Sequence, residues 1–198
     1  MKYLVRKTRQ LVIRCLVLRD YECWKQAHLK MKNPQNTWDV GSWPARSLTK
    51  VEFKKIIRSQ TEQRKKDKFY DLGIFDKSGA LVGGVSLMEV SRGISQTAYL
   101  GYSIFNNHWG QGYGKEAVQA MIEIAFEEIK LHRIEAGIEP TNKRSLKLAR
   151  SLGMRREGLK KRALFLRNKW VDLVIYTLTS EDVGKRYPTK NLKWKRRS

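Results

Sequence analysis

Apolar residues along this chain switch between two spacings, and the switches mark out its elements. Leu11-Val12-Ile13-Arg14-Cys15-Leu16-Val17-Leu18 is dense in branched residues and predicts a β-strand. Asp20 then stands where a helix N-cap belongs, ahead of Trp24, Ala27 and Met31 at helical spacing. Pro34, Gly41 and Pro44 make Asn33 to Arg46 a loop. Thr49-Lys50-Val51-Glu52 fits a capping box that opens a second helix. Its apolar face is Val51, Phe53, Ile56 and Ile57, and the pattern fades into the charged stretch Arg58 to Lys68.

Strand spacing returns next. Phe69 to Phe75, Ala80 to Val90 and Gln96 to Phe105 read as three strands joined by the turn signals Asp76-Lys77-Ser78-Gly79 and Arg92-Gly93-Ile94-Ser95, an antiparallel meander. A helix follows from about Gly112 to Lys130, with Val118, Met121, Ile122, Ala125 and Ile129 on one face and Glu116, Glu123 and Glu127 on another. Arg133 to Glu139 is a strand ended by Pro140. Asn142 caps a helix to about Leu152, with Gly153 as its stop. Leu159 to Arg167 and Val171 to Thr179 form a last pair turning at Asn168-Lys169. The order βααβββαβαββ predicts a mixed α/β sheet in one domain, residues 1–183, followed by a basic tail, residues 184–198.

Composition narrows the class. At 198 residues with 41% hydrophobic, the chain is long and apolar enough to bury a core. Its formal net charge of +22 sets up a positive field that favours anionic partners such as CoA, nucleic acid, ribosomes or acidic proteins. Cys15 and Cys23 form neither a CxxC pair nor a His-rich cluster, which argues against a zinc site and for free thiols. No run approaches the apolar length of a membrane span, and the N-terminus turns polar early, so the expected address is the cytoplasm.

The densest chemical signal is Trp109-Gly110-Gln111-Gly112-Tyr113-Gly114-Lys115-Glu116-Ala117, between a strand and an amphipathic helix. A helix start offers unpaired N–H groups and partial positive charge, and glycines let the backbone close on an anion. A P-loop needs GxxxxGK[ST], but Trp109 replaces its first glycine and Glu116 follows Lys115. A dinucleotide fingerprint needs its third glycine one residue later, after a βαβ unit rather than a meander. A pyrophosphate cradle remains, against a glycine-rich turn with no ligand.

Here the sequence resembles the GNAT superfamily of N-acetyltransferases, and within it the RimJ/RimL group, which acetylates N-terminal amines of ribosomal proteins. The superfamily pattern [Arg/Gln]-x-x-Gly-x-[Gly/Ala] falls on Trp109 to Gly114, with Trp109 departing from the usual first residue. Asn142-Lys143-Arg144-Ser145 and Ser151-Leu152-Gly153-Met154 resemble the group's N-x-x-S and L-G-[FM] signature. The resemblance runs from about Leu11 to Leu178. It implies the acyl-CoA N-acyltransferase fold, a mostly antiparallel central sheet flanked by helices with two splayed central strands, and acetyl-CoA as cosubstrate. By similarity, Tyr102, Ser103 and Ile104 hold the pantetheine arm, and an N–H near Ser103 or Ile104 polarises the thioester. Trp109, Gln111, Gly112, Tyr113, Gly114 and Lys115 surround the pyrophosphate. Asn142 contacts the cofactor arm, and Ser145 serves the departing sulfur. Ala149 stands where many members carry an acidic tyrosine.

The base is the open assignment. A protein α-amine, with pKa ~8, needs little help to become neutral, whereas a lysine amine near 10.4 needs far more. Glu89, expected among apolar neighbours with a raised pKa, and Glu135 or Glu139, four apart on one strand face, are the candidates, each with a surface salt bridge as the competing role. His108 and His132 read as capping or packing residues. Trp38, Trp43, Phe165 and Trp170 either line the acceptor pocket or pack. A small amine, such as a polyamine or aminoglycoside, is the second acceptor class, and a non-catalytic CoA- or RNA-binding module is the alternative of another kind. Monomer and homodimer both stay open.

Overall fold

The computed structural model describes residues 4–39 and 41–185. The chain forms two compact units, Met1–Met88 with Gly101–Met121, and Glu89–Leu100 with Ile122–Ser198. Residues 186–198 of the expected basic tail lie outside the described residues.

The first unit holds β1 (Val5–Lys7), β2 (Leu11–Arg14), α1 (Tyr21–Leu29), α2 (Lys50–Lys65), β3 (Tyr70–Asp76), most of β4 (Leu81–Ser91), the end of β5 (Thr97–Ile104) and most of α3 (Tyr113–Glu123). Its strands run in the order β1-β2-β3-β4-β5. Trp24 and Ala27 of α1 and Phe53 of α2 pack with Phe75, Leu81 and Phe105 into an apolar core, joined by Met31 just past α1. Val51, expected on the buried face of α2, is 61% exposed. The Thr49 hydroxyl caps α2 by accepting from the Glu52 N–H at 3.2 Å, while the Glu52 carboxylate pairs with Lys55.

Two expectations at the N-terminus need correction. Residues 5–7, in the stretch expected to turn polar, form β1, which pairs antiparallel with β2 from Val5↔Arg14 to Lys7↔Val12. The strand expected to reach Leu18 stops at Arg14. Asp20 is the reason: it takes two hydrogen bonds from the Arg14 guanidinium at 2.6 and 2.8 Å and one from the Val17 N–H at 2.9 Å, which folds the chain into a turn. Burial alone would raise the Asp20 carboxyl, but Arg14 and Val17 bring it below its ordinary value. Asp20 therefore occupies the cap position of α1 without making the cap bond.

The second unit holds the start of β5, then β6 (Arg133–Ile138), α4 (Lys143–Ser151), β7 (Arg155–Leu166) and β8 (Lys169–Thr179), in strand order β5-β6-β8-β7. Among the described residues the parallel pairing is β5 with β6, from Thr97↔Arg133 to Tyr99↔Glu135. Antiparallel ladders join β6 to β8 and β8 to β7. The helix expected to run unbroken to Lys130 instead changes to π-type turns at Ile124–Glu128, where the Ile129 N–H reaches Ile124 O. The β7–β8 hairpin turns on Arg167 and Asn168, both with positive φ, as a type I′ two-residue turn requires, one residue before the expected position. The chain is thus a mixed α/β protein with helices between mostly antiparallel strands.

Candidate active site

In the first unit, β5 leads through a short helical turn at Asn106–His108 into the glycine segment and α3. Gly110 has φ +85° and Gly112 φ +79°, and a Cβ built on either meets no atom within 4 Å. Both glycines are needed for their backbone conformation, and both leave clear space before the helix. The first α-type bond is from the Glu116 N–H to Gly112 O at 3.4 Å. The N–H groups of the preceding turn therefore have no partner inside the helix, the arrangement that receives a phosphate. Gln111, Gly112 and Lys115 are exposed. This geometry fits the pyrophosphate of CoA.

The segment is braced at both ends, and one of its braces, Asn106, carries no signal in the sequence. Asn106 is buried; its amide donates to Lys32 O at 2.7 Å and Asp39 Oδ2 at 2.9 Å, and its oxygen accepts from the Lys32 N–H at 2.8 Å. Glu116 accepts from the Thr8 hydroxyl, from the Gln10 N–H at 2.6 Å and from the Gln10 side-chain amide at 2.8 Å. Trp109 donates from its indole to Ile104 O at 2.7 Å, tying the segment to the strand end. His108 keeps its imidazole below its usual range, chiefly through burial, with Lys30 adding to it.

Tyr102, Ser103 and Ile104 are half-buried at the end of β5. β4 passes so close that a Cβ on Gly83 would fall 2.2 Å from Ser103 O, so only glycine fits there. Glu89 lies on β4 with φ +52° and is exposed, not lodged among apolar side chains. The left-handed backbone breaks the strand's alternation at this point. The apolar surroundings expected for it are absent.

In the second unit, Asn142 caps α4 by accepting the Ser145 N–H at 3.2 Å, which places Ser145, half-buried, one turn into the helix. Ala149 is buried on the same helix. Glu135 accepts from Arg133 Nε at 2.8 Å, with Lys160 Nζ at 4.0 Å. Arg133 also binds Glu157, at 3.2 Å through Nη1, and draws that carboxylate below its usual range. Both carboxylate oxygens of Glu139 accept from Arg167 Nη2, at 2.6 Å. His132 pairs with Glu181 at 3.0 Å. Phe165 and Trp170 meet edge to face at the tip of the β7–β8 hairpin, 58% and 61% exposed, while Trp43 in the first unit lies edge-on to Trp24.

Comparison with known proteins bears on this arrangement. Residues 10–155 match the family model described as Acetyltransferase (GNAT) domain. The chain is 31% identical over 187 residues to the [Ribosomal protein uS5]-alanine N-acetyltransferase of Escherichia coli (strain K12), spanning 88% of this chain and 90% of that one. It is 37% identical over 130 residues to "Probable N-acetyltransferase YjcK" of Bacillus subtilis (strain 168), spanning 65% and 72%. Its fold matches Mycobacterium smegmatis RimJ in complex with CoA-disulfide at a TM-score of 0.76, with 24% identity and coverage of 92% and 90%. With the glycine segment, its helix and the meander before it in the family's order, the chain belongs to the GNAT family and is an acetyl-CoA-dependent N-acetyltransferase.

Proposed function

We propose that this enzyme acetylates the N-terminal α-amine of a protein, of the ribosomal-protein type, by direct attack of the amine on bound acetyl-CoA. The observation that carries the acceptor is the near full-length relationship to the uS5-alanine acetyltransferase. The net charge of +22 suits approach to a ribosome's RNA and opposes polycationic acceptors such as polyamines.

Direct attack is favoured by the thiols. An acyl-enzyme route needs an activated nucleophile, and the nucleophile is the thiolate. Burial pushes up both Cys15 and Cys23, and the Cys23 sulfur accepts the Leu81 N–H at 3.1 Å as a packed structural group. In this reading the backbone N–H groups of Gln111 to Lys115 hold the pyrophosphate, with Trp109 fixing the approach. Tyr102, Ser103 and Ile104 present the strand edge to the pantetheine arm, and one N–H of Ser103 or Ile104 polarises the thioester carbonyl. An aimed donor of this kind contributes about 3–4 kcal/mol. Asn142 organises the start of α4, and Ser145 donates to the leaving sulfur. An α-amine is already about a tenth neutral at pH 7, so a weak base suffices, and Glu89 is the candidate.

The test is direct. Acetyl-CoA is incubated with Ala- and Ser-initiated peptides, spermidine and an aminoglycoside while thiol release is followed. Turnover on the peptides with intersecting double-reciprocal lines is expected. Turnover confined to the small amines removes the protein acceptor, and parallel lines remove direct attack.

A further inference from the structure

We infer that Glu116 is a positioning residue for the pyrophosphate segment: its carboxylate pins the first turn of α3 to the turn between β1 and β2. The inference rests on the acetyl-CoA reading above and adds to it a residue that touches no cofactor.

Glu116 follows Lys115 directly, in the first turn of the helix whose N–H groups face the anion. A carboxylate there favours the helix dipole but opposes a neighbouring pyrophosphate unless its charge is turned away and engaged. Both conditions are met. One oxygen accepts from the Thr8 hydroxyl and from the Gln10 N–H at 2.6 Å, and the other from the Gln10 side-chain amide at 2.8 Å. Three donors on two oxygens fix the rotamer of Glu116 and, through it, the direction in which the helix begins.

The anchor is itself held. The Thr8 N–H donates to Leu11 O at 2.9 Å, the Leu11 N–H returns a bond to the Thr8 hydroxyl at 3.0 Å, and Lys77 Nζ reaches Thr8 O at 3.0 Å. Residues more than a hundred positions apart in sequence are thereby joined at the one turn whose orientation sets the phosphate-binding N–H groups. Burial alone would raise the Glu116 carboxyl, but the bonds from Thr8 and Gln10 prevail and hold it below the usual glutamate range. With a lowered folded pKa, the clamp is complete above the ordinary glutamate pKa and weakens only as pH falls below it.

The experiment uses the full chain and two readouts. Titration calorimetry gives the Kd for CoA, and steady-state rates compare acetyl-CoA with acetyl-pantetheine, which lacks the pyrophosphate. Glu116→Ala should weaken CoA binding about tenfold, the loss expected for a hydrogen-bonded charged group. Glu116→Gln should do less, because its amide oxygen can still accept while its NH2 faces the Gln10 amide. Thr8→Val, which removes one donor at constant shape, should weaken CoA binding about threefold. In all three, kcat/KM for acetyl-pantetheine should stay within about twofold of the parent, because no pyrophosphate is there to be positioned. An unchanged Kd for CoA in Glu116→Ala, or an equal fall with both substrates, overturns the assignment. Should Glu116→Ala fail to fold, Glu116→Gln and Thr8→Val carry the same test. A parent protein that binds no CoA overturns the acetyl-CoA reading itself, and the inference with it.

Discussion

The glycine segment of the first unit and the acid–base candidates of the second use side chains in opposite ways. In the proposed reading the working groups around Gly110 and Gly112 are backbone N–H donors, and the side chains Asn106, Trp109 and Glu116 are engaged in bonds that hold the segment. On β6 and α4 the working groups would have to be side chains, yet Glu135, Glu139 and Asn142 already have partners in Arg133, Arg167 and the Ser145 N–H. Binding by backbone is robust to side-chain partnerships. Proton transfer depends on them. An acceptor amine that needs only a weak base is consistent with a protein whose carboxylates are mostly occupied.

The comparison breaks first at the glycines. Gly112→Trp puts a bulky residue where φ is +79° and the space ahead of the helix is clear. The strain of a non-glycine residue there is about 1–2 kcal/mol, too little to unfold a domain. The indole would fill the anion's place. A loss in CoA affinity of about a hundredfold or more, roughly 2.7 kcal/mol, is expected in calorimetry, with the melting transition still cooperative. Normal CoA binding in a folded Gly112→Trp protein means the phosphates lie elsewhere.

Ser145→Ala is next in size and tests the second unit. If the hydroxyl donates to the leaving sulfur, kcat falls by about a hundredfold at the low end of general-acid effects, with the KM for acetyl-CoA little changed. If Ser145 only fills a helix position, kcat keeps its value, since the Asn142 cap uses the Ser145 backbone N–H and survives the change. Trp109→Phe should be smaller again. It removes one hydrogen bond to Ile104 O and leaves that carbonyl to find water, a loss of about 1 kcal/mol in stability by thermal melting.

What could be read from the sequence follows the same division. The order of elements was legible because apolar spacing reports burial locally, and the glycine segment because its φ requirement is written in the residue type. β1 was not, since three residues, two of them basic, carry no periodic signal and become a strand only by pairing with β2. The end of β2 was missed because it is set by Asp20 reaching back to Arg14, not by anything within the strand. Glu116 was visible as an acidic mark on a helix face and as the residue that rules out a P-loop, but not as an anchor, because its partners Thr8 and Gln10 lie in the turn between β1 and β2. The surroundings of Glu89 were not legible because neighbours in sequence are not neighbours in space: Met88 and Val90 flank it, yet it lies exposed with positive φ.

The smallest effect is expected at Glu135, and it separates the two regions most cleanly. Its side chain is only 16% exposed and bonded to Arg133, which also holds Glu157 and the Thr177 hydroxyl at 3.0 Å. Glu135→Gln keeps the shape and one acceptor oxygen, so kcat at neutral pH should stay within about twofold while the melting free energy drops by about 1 kcal/mol or less, the worth of a partly exposed pair. The parallel ladder from Thr97 to Tyr99 should persist, because its bonds are between backbones. A hundredfold loss in kcat, with the acid limb of the pH–rate profile erased and stability unchanged, would instead make Glu135 the base. The second unit would then contribute a proton acceptor as well as a scaffold, and the contrast with the glycine segment would end there.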